Sequence, residues 1–125
     1  MSRSDVVPAW ERLPEYRATQ QLARSIGRIL MSLPPRARRI TGRALIRAPL
    51  LIARGIAGAN AELPPGLGLT REERDEYLRC ALDALELLRG LLRMLRGERL
   101  GSQPDLLVGL ELLERIEQGL AEPAS

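Results

Sequence analysis

Residues 35–62 read PRARRITGRALIRAPLLIARGIAGANAE, and the fold turns on how this stretch is interpreted. It joins a near-continuous apolar run from Ala44 to Ala61 to arginines that recur at helical spacing. At about 100° per residue, Arg36, Arg43, Arg47 and Arg54 fall within about 40° of one another, with Arg39 just beside them. The spacing predicts a helix from Arg36 to about Ala61 with a basic stripe. Opposite that stripe lie Ile40, Ala44, Ala48, Leu51 and Ile52, the residues expected to face a bundle core. Ile46, Leu50, Ala53 and Ala57 form a second apolar group on the other side of the arginines. One helix with two apolar faces has more to bury than a single small core needs. It is therefore expected to meet a second copy of the chain as well as an anionic partner.

The 125 residues make one domain, with an N-terminal arm over 1–13, a helical body over 14–120 and a tail over 121–125. At this size a core forms, and self-association adds to stability. There are 19 arginines, with no lysine, histidine or phenylalanine, and leucine recurs throughout. Such a Leu/Ala/Arg/Glu-rich chain reads as all-α. Strands would need alternating Val, Ile, Thr and aromatic residues, which are missing.

Charge is unevenly placed. Residues 1–60 hold 11 arginines against Asp5, Glu11 and Glu15, whereas residues 61–125 hold 8 arginines against 13 carboxylates. This asymmetry has two readings: a side that faces a polyanion, or helices that pair a basic face with an acidic one. Cys80 is the single cysteine, so no internal disulfide forms and a reducing compartment is expected. The opening MSRSDVVPAWER has no apolar core segment, so no secretory leader is expected. Leu45 to Ala61 is interrupted by Arg47 and Arg54 and falls short of the roughly 18 uninterrupted apolar residues of a membrane span. A cytoplasmic protein with no membrane partner is expected.

Taken in order, residues 1–13 are expected to form an irregular arm that Trp10 helps to order. The first helix is expected from about Pro14 to Leu33, with Leu22, Ile26, Ile29 and Leu33 on one face and Arg17, Arg24 and Arg28 as a second stripe. Pro34 and Pro35 end it. Pro49 interrupts the second helix, which either kinks there or divides in two; continued periodicity on both sides favours the kink. Small residues at Ala53, Ala57, Gly58 and Ala61 either admit another helix closely or mark a weak helix end. NAELPPGLGL at 60–69 is turn chemistry, expected as a mobile or partner-contacting loop. Thr70 and Glu73 have capping-box spacing, opening a third helix from Arg71 to about Arg96 that stops at Gly97. Its apolar arc is Leu78, Ala81, Leu82, Leu85, Leu88, Leu92 and Leu95, extended around the far side by Ala84, Leu87, Leu91 and Met94. Ser102 and Asp105 repeat the cap spacing before a fourth helix from about Gln103 to Leu120. Its apolar set is Leu106, Val108, Leu110, Leu113, Ile116 and Leu120, with Glu111, Glu114 and Glu117 towards solvent. Four helices with short links imply an antiparallel up-down-up-down four-helix bundle.

Catalytic signatures are missing. Without histidine there is neither the usual general base nor the commonest metal ligand. Cys80 has no activating partner and reads as a small packing residue. Glu111, Glu114 and Glu117 lack the histidine of a di-iron bundle site, and GLG at 66–68 is a loop. No enzyme activity, cofactor, metal or small-molecule substrate is expected. What remains is phosphate recognition: guanidinium forks at Arg17, Arg24, Arg28, Arg36, Arg39, Arg43, Arg47 and Arg54 suit a nucleic-acid backbone. With Trp10, Tyr16 and Tyr77 as the only aromatics, base stacking is not expected. For any one arginine, solvating a helix face or pairing with a glutamate is the simpler account; the alignment of eight supports RNA or DNA binding. Ile46, Leu50, Ala53, Ala57, Leu87, Leu91 and Met94 are the candidate oligomer interface.

Three segments carry a resemblance: LPEYRATQQLARSIGRILMSLP at 13–34, RAPLLIARGIAGANAE at 47–62 and EYLRCALDALELLRGLLRML at 76–95. Over about residues 12–120 the chain resembles the four-helix-bundle family of ribosomal-RNA intervening-sequence proteins and the accessory variability determinant, Avd, of diversity-generating retroelements. The last two helices and their link LRGERLGSQPD look closer to the retroelement branch. The resemblance implies a homopentameric barrel, association with a reverse transcriptase, and nucleic-acid binding (template RNA or cDNA) through a basic surface, carried to Arg17, Arg24, Arg28, Arg36, Arg43 and Arg47. The alternative is a structural, protein-binding bundle of the intervening-sequence type without a nucleic-acid role. Modest net charge, the lack of lysine and the acidic second half keep that alternative open.

Overall fold

A capping box opens the longest helix. The Glu73 backbone N–H donates to the Thr70 hydroxyl at 3.1 Å, and the Thr70 N–H donates to the Glu73 carboxylate at 3.2 Å. Two amides that a helix start leaves unpaired are thereby satisfied. The computed structural model describes residues 8–61 and 68–121. Residues 1–7 of the expected arm, 62–67 of the proline- and glycine-rich loop and 122–125 of the expected tail lie outside the described residues. A 3-10 turn at Ala9–Arg12 precedes α1 (Pro14–Ser32), α2 (Pro35–Ala59), α3 (Arg71–Gly97) and α4 (Gln103–Ala121). There is no strand among the described residues. The 3-10 turn gives part of the expected irregular arm a defined shape, and Trp10 meets Tyr16 edge-on with ring centroids 4.9 Å apart.

The ends follow local chemistry. Pro14 occupies the first turn of α1, and Pro34 and Pro35 stop that helix at Ser32. Arg38 reaches back from α2, its Nε and Nη2 donating to the carbonyls of Leu30 and Leu33 at 3.0 Å each, so a guanidinium satisfies the end of α1. α2 is one continuous helix through the buried Pro49, not two. Between α3 and α4 the backbone turns at Arg99 and Gly101, with φ of 57° and 82°. Gly101 also lies close against Leu33, where a Cβ would sit 3.0 Å from Leu33 Cδ2. The Ser102 N–H donates to Ser32 Oγ at 2.8 Å, and the expected α4 cap is present in the Asp105 N–H donating to Ser102 Oγ at 3.4 Å.

Each helix packs on the next in the chain and α4 returns to α1; the diagonal pairs α1–α3 and α2–α4 make no close backbone approach among the described residues. Leu33 lies beside Gly101, Arg28 pairs with Asp105, and Glu15 approaches Gly119. Gly55 lies against Ala81, Gly58 against Tyr77, and Gly109 against Leu92. The shared core holds Leu22, Ile26 and Ile29 of α1, Leu45, Ile52 and Ile56 of α2, Leu85, Leu88 and Leu92 of α3, and Leu106, Leu113 and Ile116 of α4.

Four expectations about the core are corrected. In α2 the interior line is Leu45, Ala48, Ile52, Ile56 and Ala59, whereas Ile40 is 70% exposed, Leu51 is exposed and Ala44 is only partly buried. The helix is rotated towards its glycines, because Gly55 must fit beneath α3. In α3, Leu82 is exposed at the margin of the arc and Leu78 is only partly buried. In α4, Val108 is exposed, Leu110 and Leu120 pack at the edge, and Gly109 and Leu112 take interior places. The contact of Gly109 with Leu92, 3.0 Å from a would-be Cβ, turns that face inward. Cys80, expected as a packing residue, is exposed.

A Cβ at Gly55 would stand 2.6 Å from the Tyr77 carbonyl oxygen and 2.7 Å from the Ala81 Cβ, both fixed by backbone. Gly55→Ala is therefore expected to destabilise by about 1–3 kcal/mol. Gly27 and Gly90 are helical glycines with open space around them, so Gly27→Ala or Gly90→Ala should stabilise by about 0.5–1 kcal/mol. Urea denaturation of the three variants checks both signs; an unchanged midpoint for Gly55→Ala would show that α2 and α3 can separate freely.

Candidate nucleic-acid interface

All eight candidate arginines reach the surface: Arg17, Arg24 and Arg28 on α1, and Arg36, Arg39, Arg43, Arg47 and Arg54 on α2. The core of α2 lies opposite Arg36, Arg43, Arg47 and Arg54 by helical arithmetic, which points this row away from the bundle. From Arg36 to Arg54 the row spans about 27 Å at 1.5 Å per residue.

The helices differ in how their charge is matched. α2 holds six arginines and no carboxylate. α4 holds Asp105, Glu111, Glu114 and Glu117 against the lone Arg115. Two of the α4 acids, Asp105 and Glu117, act inside the chain. The Arg28 Nε donates to Asp105 Oδ1 at 3.3 Å while its Nη2 donates to Ser25 Oγ at 3.1 Å. Arg89, with a side chain only 15% exposed, pairs with Glu86 on its own helix and with Glu117 across the α3–α4 contact. The hydrogen bond that Arg89 donates to Glu117 raises the Arg89 pKa above its ordinary value; burial opposes it, and the charges of Glu117, Glu86 and Glu114 add to it. These are the ion pairs among the described residues, and none involves an α2 arginine.

The stripes are thus unequal. Arg28 is held by Asp105, and Arg24 and Arg28 line a cleft against α4 with Glu111 and Arg115. Arg54 lines a second cleft, of about 460 Å³, with Glu73, Glu76, Tyr77 and Cys80 of α3. Arg36, Arg39, Arg43 and Arg47 enter no ion pair among the described residues. Arg38, outside the aligned row, spends its guanidinium on the end of α1.

The candidate interface residues occupy two places. Ile46, Leu50, Ala53 and Ala57 share the flank of α2 on the side of Gly42, which rests on Leu30 of α1; Leu50 is 64% exposed and Ile46 is exposed. Leu87, Leu91 and Met94 share the flank of α3 that faces α2, where Leu87 and Met94 are exposed and Leu91 packs on the core. The arginine row of α2 separates the two sets, and Ile40 and Leu51 lie on the α3 side of that row.

Sequence reasoning missed the Arg89–Glu117 bridge and Arg115. It read Arg89, Arg93 and Arg96 as complements of the helix dipole and the α4 glutamates as solvated. Yet those arginines and Glu111, Glu114 and Glu117 line one cleft between α3 and α4. The visible signal was the pairing of a basic segment with an acidic one in adjacent helices. No group of three or more His, Cys, Asp or Glu residues that could hold a metal ion occurs among the described residues. No described helix is long and apolar enough to cross a membrane.

Comparison with models of known protein families and with curated protein sequences gives no match.

The Arg89 bridge should behave as a coupled unit. Arg89→Ala and Glu117→Gln are each expected to cost about 1 kcal/mol, and the double variant little more than either alone. A double-mutant cycle by chemical denaturation measures this, and strictly additive losses would show the two side chains to be independent.

Proposed function

We propose that the chain is a non-enzymatic, cytoplasmic accessory protein that binds RNA or DNA through the arginine face of α2 and works beside a reverse transcriptase, as in a diversity-generating retroelement. The observation that carries this reading is a helix with six arginines, no carboxylate of its own and no ion pair to any neighbour among the described residues. Leaving so many aligned like charges unmatched on one helix carries an electrostatic cost, which an external polyanion removes. Such a row contacts phosphates and does not read bases, so binding is sequence-tolerant and salt-sensitive.

The proposed architecture is an antiparallel up-down-up-down bundle that assembles into a homopentameric barrel, as the resemblance to the Avd family implies. Two observations support it. Contacts between α1 and α4 run in opposite sequence order, from Leu33 with Gly101 to Glu15 with Gly119. A ring also needs two different patches on each subunit. The exposed flanks at Ile46 and Leu50 of α2 and at Leu87 and Met94 of α3 are two such patches.

A second reading, a purely protein-binding bundle of the intervening-sequence type, draws on Arg54, which already shares a cleft with Glu73 and Glu76. Acids of a neighbouring subunit would then cover the rest of the row.

Heparin and single-stranded RNA binding across a salt series, with light scattering, separates the readings. Four phosphate contacts predict that log K falls with log salt at a slope of about −3. Arg43→Glu with Arg47→Glu should abolish binding and leave the oligomer intact. A stable oligomer that ignores both polyanions would favour the second reading, and loss of assembly in the double variant would make the row structural.

A further inference from the structure

We propose that the cleft between α1 and α4 is a binding site for a phosphate dianion, free or as a terminal monoester, distinct from the arginine face of α2. The cleft measures about 360 Å³, at the lower end of ligand-binding cavities. Arg24 and Arg28 line it from α1 and Arg115 lines it from α4, against a single lining carboxylate, Glu111. Arg115 is the one basic residue of α4, and it forms no ion pair among the described residues. Three guanidiniums from two helices around one opening give a dense set of fork-shaped donors for tetrahedral oxyanions.

The cleft is also built from beneath. Ser25 is 1% exposed, lines the cleft, and accepts the Arg28 Nη2 hydrogen bond. Asp105 takes the Arg28 Nε, so two partners hold this guanidinium, and its Nη1 makes no hydrogen bond among the described residues. Val108 and Leu112 supply an apolar wall for a small group attached to the phosphate. The excess of positive charge in the lining favours such a dianion, with about −1.5 to −2 at pH 7 for a monoester, over a backbone diester with its single charge. That chemistry is offered both by free phosphate and by the phosphorylated end of a strand.

Titration calorimetry on the full chain at low salt tests this with three probes: inorganic phosphate, a 5′-phosphorylated dinucleotide, and the same dinucleotide with a 5′-hydroxyl. Saturable binding of the first two at one equivalent per chain is expected, with the hydroxyl form about tenfold weaker or worse. Tighter binding of the phosphorylated dinucleotide assigns the site to strand ends, and equal affinity assigns it to free phosphate. Arg115→Gln should weaken both by about tenfold, with Arg115→Lys between it and the wild type. Arg43→Glu with Arg47→Glu should leave phosphate affinity unchanged, so failure here is distinguishable from failure of the α2 reading. The proposal is overturned by absence of saturation with either phosphate, by equal affinity for the hydroxyl dinucleotide, or by an Arg115→Gln variant that binds like the wild type.

Discussion

The close approach of α2 to α3 at Gly55 and Gly58 constrains everything around it. With no side chain at Gly55, the backbone of Tyr77 and the methyl of Ala81 come into direct contact with α2, and the Tyr77 ring covers Gly58. That contact fixes the rotation of α2 about its own axis. Leu45, Ile52 and Ile56 turn inward, while Ile40 and Leu51 are left on the surface. The arginine row, on the same rigid helix, is carried outward as a consequence. A packing requirement between two uncharged surfaces thus determines which charges face solvent.

Electrostatics then divides the molecule. Two of the four α4 carboxylates are used inside the chain: Asp105 holds Arg28, and Glu117 holds Arg89 with Glu86 on its other side. These bridges join α1 to α4 and α3 to α4, leaving α2 as the helix without such a bridge among the described residues. An Arg–carboxylate pair of this kind contributes modestly when exposed and more when partly withdrawn from water, as Arg89 is. The result is asymmetry by position: the acid-rich helix is diagonal to the arginine-rich one, and their charges do not cancel by contact. The overall balance of +3 conceals this arrangement.

Helix existence and type were legible because the signals are local. Pro14, the Pro34–Pro35 pair, the Thr70–Glu73 capping box and the Ser102–Asp105 cap each act within a few residues, and the observed ends agree with them closely. The surface position of the eight arginines was legible for a related reason, since a charged stripe opposed to an apolar arc has one stable orientation. The rotation of α2 within its arc was not legible. Its apolar surface extends along both sides of the stripe, so periodicity alone admitted two flanks as the interior. Gly55 and Gly109 count as weak helix positions in one dimension and as contact points in three.

By itself, then, the sequence determined four helices, their boundaries and a basic second helix, because capping, proline geometry and 3.6-residue periodicity operate over a turn or two. Tertiary structure alone decided which flank of α2 is buried and which acids neutralise which arginines. It also brought Arg115 across from α4 to join Arg24 and Arg28. These outcomes depend on residues brought together from distant parts of the chain. Arg28 and Asp105 lie 77 positions apart, a separation over which no local pattern carries information.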